Sequence, residues 1–83
     1  MNSTDVRSIV VRTLEQVAPD VDANALDPGA DFREELDLDS MDVLNLVVGL
    51  HEATGIEIPE RDYPELTTVD ACVAYLSERL AAA

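Results

Sequence analysis

The sequence predicts an all-α fold, a four-helix bundle with a long first loop and a short third helix. Two observations predict it. Apolar residues recur at helical spacing in three stretches: Val6, Ile9, Val10, Leu14 and Val17; then Val43, Leu46, Val47 and Leu50; then Val69, Cys72, Val73, Leu76 and Leu80. No stretch reads as a strand, since the best candidate, Ile56-Glu57-Ile58, is short and runs into Pro59. A chain of 83 residues supports one core, so residues 1–83 are expected to form one domain.

The elements follow in order. Ser3 or Thr4 is expected to cap the first helix, and Pro19 ends it, because Ala18 before a proline is biased away from helix. Residues 19–39 read as a long connection with a turn at Pro28-Gly29 and a short helical turn around Asp22 to Leu26. Val21, Leu26, Phe32, Leu36 and Leu38 are its candidate core anchors. The second long helix is expected over about Ser40 to Ala53, with Asp39 as cap, Asp42 in a capping-box position and Gly55 as stop. Ile56 to Pro59 reads as a connector that inserts Ile58 into the core, and residues 60–63 as one helical turn before Pro64 interrupts. Thr67 is the expected cap of the last helix, with Asp70 three residues on.

Hydrophobic residues make up 47% of the chain and aromatic residues 4%, so the core is expected to be aliphatic. The formal net charge is -13, and the five basic residues are all arginine. Such charge argues against nucleic acid and anionic membrane as partners. It suits a soluble monomer that recruits basic protein surfaces quickly. One cysteine, Cys72, excludes an internal disulfide and falls on a buried stripe. The first five residues hold neither a basic region nor an apolar run, so the expectation is a cytoplasmic protein without an export signal.

The most informative stretch is Asp31 to Asp42. Six carboxylates (Asp31, Glu34, Glu35, Asp37, Asp39 and Asp42) face one cation, Arg33, and Ser40 stands where loop becomes helix. A nucleophilic serine needs a base within ~2.6–3.2 Å. The single histidine, His51, lies eleven residues along the same helix, about 16 Å away at 1.5 Å per residue. The Gly-x-Ser-x-Gly elbow is absent as well. Two readings remain: a residue that merely follows a capping aspartate, or an acceptor of modification presented at a helix start, where free N–H groups face an added phosphodiester. A calcium loop starting at Asp37 fails, because its sixth position is Asp42 and its twelfth is Val48. No metal site is expected, only diffuse cation binding to the acidic surface.

Glu35-Leu36-Asp37-Leu38-Asp39-Ser40-Met41-Asp42 resembles the attachment motif of acyl carrier proteins, whose core reads Asp-Ser-Leu. The similarity extends to Phe32 before the motif, to Gly55-Ile56-Glu57-Ile58-Pro59, to Leu66-Thr67-Thr68-Val69 and to Tyr75-Leu76, without gaps from Phe32 to Leu76. The resemblance implies a non-catalytic carrier. A phosphopantetheinyl transferase would move 4'-phosphopantetheine from coenzyme A to Ser40, and the arm would carry acyl groups as thioesters for fatty acid, polyketide or lipid synthesis. It implies partners with basic surfaces that transfer, condense or ligate acyl groups, contacting Asp39, Met41, Asp42, Val48 and Glu52. Two departures stand out. Asp37 replaces a frequent glycine, making the turn less permissive. Asn45, His51, Ala53 and Thr54 occupy positions that are commonly acidic or aromatic. A carrier of aminoacyl or peptidyl units and an unmodified acidic adaptor are the alternatives. Met41, Leu44 and Val48 form a second apolar stripe, which suits either burial on two sides or contact with partners. Gly49 in mid-helix suits either close packing or room for an acyl chain.

Overall fold

The side chain of Asn2 accepts a hydrogen bond from the Asp5 N–H at 2.9 Å, and the Asp5 carboxylate accepts one from the Asn2 N–H. This reciprocal cap starts helix α1 (Ser3–Val17) one residue before the expected Ser3 or Thr4. Asparagine is as good a cap as serine, and here Asp5 lies at the right spacing to reciprocate. The computed structural model describes residues 2–20 and 22–82, so Val21 lies outside the described residues. α1 ends as Pro19 requires, with the Ala18 N–H closing on the Leu14 carbonyl at 2.8 Å.

The long connection carries more structure than its sequence suggests. Asp22 caps a 3₁₀ turn over Ala23–Ala25, and Asp27 closes the Pro28-Gly29 turn by accepting from the Gly29 N–H at 2.9 Å. Residues 32–35, expected as loop, form a short helix, α2 (Phe32–Glu35), capped by Asp31. Tertiary contact makes this helix. Phe32 is fully buried, and its N–H donates to the Thr67 carbonyl at 2.9 Å. Burying such a ring stabilises by roughly 1.5–3 kcal/mol, enough to hold one turn that would not form alone. The Asp70 N–H likewise ties the loop at the Pro28 carbonyl. Leu26, Leu36 and Leu38 pack half-buried against the core.

Helix α3 (Ser40–Thr54) and helix α4 (Val69–Ala82) complete the bundle. Among the described residues there is no strand. α1 packs on both α3 and α4, and the shared core of Val6, Val10, Leu14, Leu46, Leu50, Leu66 and Leu76 is aliphatic around Phe32. α3 stops at Gly55, whose φ of 75° is the left-handed conformation glycine adopts freely. Ile58 then enters the core as expected. The short third helix is a 3₁₀ segment, Glu60–Glu65. Pro64 lies inside it and does not interrupt it after residue 63, because the segment needs few N–H donors.

The cap of α4 is Thr68, whose hydroxyl accepts from the Ala71 N–H at 2.9 Å. The expected Thr67 has its carbonyl committed to Phe32, and Asp70 pairs with Arg7 of α1 at 2.6 Å. Both partners of that pair are well exposed, so it adds little stability. Four buried residues escaped the apolar pattern, Thr13, Ala23, Leu66 and Tyr75, while Ile9, Val17 and Leu80 are only half-buried.

Gly49 faces Thr13 across the α1–α3 contact. A Cβ built on Gly49 would lie 2.6 Å from Thr13 Cγ2. Thr13 cannot swing away, since it is buried, stiff at χ1, and its hydroxyl donates to the Ile9 carbonyl at 2.7 Å. Gly49 therefore serves close helix packing. Gly49→Ala should destabilise the fold by about 1–2 kcal/mol in denaturant melts, in spite of alanine's better helix propensity. Adding Thr13→Ser, which removes the clashing methyl and keeps the hydroxyl, should recover most of that loss.

Candidate functional site

Ser40 is the first residue of α3, and two consecutive backbone devices put it there. The first closes α2. Leu38 donates its N–H to the Arg33 carbonyl at 2.9 Å, and Asp37 donates to the Glu34 carbonyl at 3.4 Å. This is the paired bonding of a Schellman motif, whose penultimate residue must be left-handed. Asp37 takes that role with φ 52°, the only non-glycine residue with positive φ among the described residues. Aspartate tolerates this region better than most side chains, though less well than glycine.

The second device opens α3. The Asp39 carboxylate accepts from the Asp42 N–H at 2.9 Å, and the Asp42 carboxylate accepts from the Asp39 N–H at 3.2 Å. Both carboxylates of the sequence-predicted capping box are thus engaged with backbone, and their charge sits at the positive end of the helix dipole. Ser40 is exposed immediately after this cap. It lies at the rim of a cleft of about 480 Å³ lined by Arg33, Met41, Val43, Leu44, Glu60, Tyr63 and Pro64. The 3₁₀ segment that forms the far wall brings Tyr63 and Pro64 there.

The remaining candidates fall along the outside of α3. Met41 is 64% exposed and Val48 45%, and Leu44 between them is exposed too. The second apolar stripe therefore faces solvent and is not buried against another element. Asp39 and Glu52 are exposed, and Asp42 is half-buried by its capping role. His51 is exposed, and its Nδ1 donates to the Ile56 carbonyl at 2.8 Å, which fixes the chain after Gly55. Cys72 is fully buried in α4, and burial pushes its thiol up to about 12, so it stays protonated and unreactive.

A three-residue cluster behind the cleft was not legible in the sequence. The Tyr75 hydroxyl donates to Asp62 Oδ2 at 2.7 Å and the Arg79 guanidinium donates to the same oxygen at 3.0 Å. Arg79 also lies over the Tyr75 ring, 4.1 Å from its centroid. The cluster holds the 3₁₀ wall of the cleft to α4. The Tyr75 hydroxyl first, with Arg79, holds the Asp62 carboxyl below the usual carboxylate range. The only sequence signal for this cluster was the spacing of Tyr75 and Arg79 on one helix face.

The family model described as "Phosphopantetheine attachment site" matches residues 5–76 of this chain. The chain belongs to the phosphopantetheine attachment family. Its similarity extends to curated relatives. An acyl carrier protein of Rubrobacter xylanophilus is 36% identical over 75 residues, covering 87% of this chain and 93% of the relative. An acyl carrier protein of Helicobacter hepaticus is 41% identical over 71 residues, covering 86% of this chain and 87% of the relative. As a member of this family the protein is a non-catalytic carrier, modified by a phosphopantetheinyl transferase and holding 4'-phosphopantetheine covalently.

Two outcomes test this geometry. Asp37→Gly should melt at or above the wild-type temperature, whereas Asp37→Val, with a branched side chain in a left-handed turn, should cost about 1–2 kcal/mol. For Asp62, the lowered folded value means that the unfolded chain binds protons first as pH falls. The stabilisation from its cluster is present above about pH 4 and disappears as pH drops through the folded value. The gap in melting temperature between wild type and Asp62→Asn should hold between about pH 7 and 5 and close in more acidic buffer.

Proposed function

We propose that the protein carries acyl intermediates on a 4'-phosphopantetheine arm attached to Ser40, in fatty acid synthesis or a related acyl-chain pathway. The observation that carries this reading is that Ser40 is an exposed residue at the start of an acid-capped helix and on the lining of a cleft. A residue so placed is open to a transferase. The residues around it fit such a group: Ser40 supplies the attachment oxygen, Arg33 the one cation, and Met41, Leu44, Tyr63 and Pro64 an apolar wall. When bound, the arm supplies the thiol that carries the acyl group as a thioester. Cys72 cannot replace it, being buried and protonated. Both relatives are acyl carrier proteins, which supports acyl cargo over aminoacyl or peptidyl cargo.

Partner enzymes on this reading dock on the outer face of α3. Asp39, Asp42 and Glu52 offer charge to basic surfaces, while Met41 and Val48 offer apolar contact. The whole chain acts as one domain, and its strong acidity favours a monomer. A cytoplasmic location goes with this reading, since coenzyme A must be at hand.

The experiment is to incubate the protein with coenzyme A and a broad-specificity phosphopantetheinyl transferase, then weigh it and titrate thiols under native conditions. Wild type should gain one arm and one thiol that reacts with a disulfide reagent. Before loading, native protein should show no reactive thiol, and unfolding should expose Cys72. Ser40→Ala should gain neither mass nor thiol. A wild-type protein that stays unmodified beside an active transferase would leave the adaptor reading standing.

A further inference from the structure

We propose that Arg33 is a positioning residue for the arm, its guanidinium pairing with the phosphodiester that joins the arm to Ser40. The inference rests on the reading of Ser40 as the attachment site and adds a residue to it.

Charge poses the problem. Between Asp31 and Asp42 stand six carboxylates and one cation, Arg33. An anionic phosphodiester on Ser40 would be repelled by this neighbourhood on every side but one. Three of the six have other work. Asp31 accepts from the Arg33 N–H at 2.9 Å, and Asp39 and Asp42 cap each other's backbone. Among the described residues the ion pairs are those of Arg7, Arg61 and Arg79, and Arg33 takes part in none. Its side chain is exposed and lines the cleft that Ser40 also lines, where it is the sole cation.

The backbone couples the two residues. The Arg33 carbonyl accepts the Leu38 N–H that closes the left-handed turn, and Ser40 follows two residues later. The base of the Arg33 side chain is therefore fixed relative to the serine by hydrogen bonds of the turn itself. Guanidinium is the group that suits this task, since it binds phosphate oxygens through paired N–H donors and keeps its charge at any working pH. The cleft that Arg33 and Ser40 share is lined otherwise by one carboxylate, Glu60, and by Met41, Val43, Leu44, Tyr63 and Pro64, so Arg33 is its one group that attracts a phosphate. The contact is exposed, so salt should weaken it.

The test compares arm-loaded wild type, Arg33→Gln, Arg33→Lys and, as a control outside the cleft, Arg61→Gln. Intact mass first establishes one arm on each. Phosphorus NMR then reads the phosphodiester, and nitrogen–proton spectra read the arginine Nε–H signals. On loading of wild type, one arginine Nε–H signal absent from Arg33→Gln should move. The phosphorus resonance should drift as salt rises from low to about 0.5 M. In Arg33→Gln the resonance should sit at the high-salt position throughout, Arg33→Lys should retain part of the drift, and Arg61→Gln should match wild type. A phosphorus resonance and salt response in Arg33→Gln indistinguishable from wild type would overturn the inference while leaving Ser40 as the attachment site. Failure of wild type to take up the arm would instead overturn the reading on which it rests.

Discussion

The site depends on a left-handed turn at Asp37. With φ at 52°, this residue lets the Leu38 N–H reach back to Arg33, which ends α2 and turns the chain toward α3. Without that reversal, Asp39 would not stand where its carboxylate can cap α3, and Ser40 would not be the first helical residue. The turn is built from hydrogen bonds within eight residues, yet it needs an anchor. Phe32 supplies one by burying its ring and tying its N–H to Thr67. A helix of one turn holds its geometry here because tertiary burial offsets the cost of nucleating it.

The acidic character of this region has two separate consequences. Asp31, Asp39 and Asp42 are committed to backbone N–H groups, so part of the charge is structural and fixed in place. Exposed carboxylates such as Asp39 and Glu52 also present charge outward, where it acts at longer range than a contact. Beside them on α3 lies an apolar row, Met41, Leu44 and Val48.

The cleft beside Ser40 has one rigid wall and one fastened wall. α3 lies close against α1 at Gly49, where a Cβ would meet Thr13 Cγ2. The opposite wall, Glu60–Glu65, lacks the regular hydrogen bonding of an α-helix and is held to α4 by Asp62, Tyr75 and Arg79. The cluster thus fastens the segment that carries Tyr63 and Pro64, while the side chains of the core beneath are shut off from solvent.

The sequence by itself determined the helices with an apolar stripe, the cap at Asp39 and Asp42, the stop at Gly55 and the serine at the loop–helix junction. Each of these is decided by residues within a few positions of one another, through periodicity or side-chain-to-backbone bonds. The tertiary structure decided the rest. It made a helix of residues 32–35 through the burial of Phe32, and chose Thr68 over Thr67 as cap because the Thr67 carbonyl was already taken. It turned Met41, Leu44 and Val48 to solvent because α1 covers only the other face of α3, and it required glycine at position 49 because Thr13 arrives there. The burial of Cys72 followed from its apolar stripe, whereas Tyr75 bonds to Asp62 because a distant segment brings that carboxylate to α4, and local pattern carries no record of it.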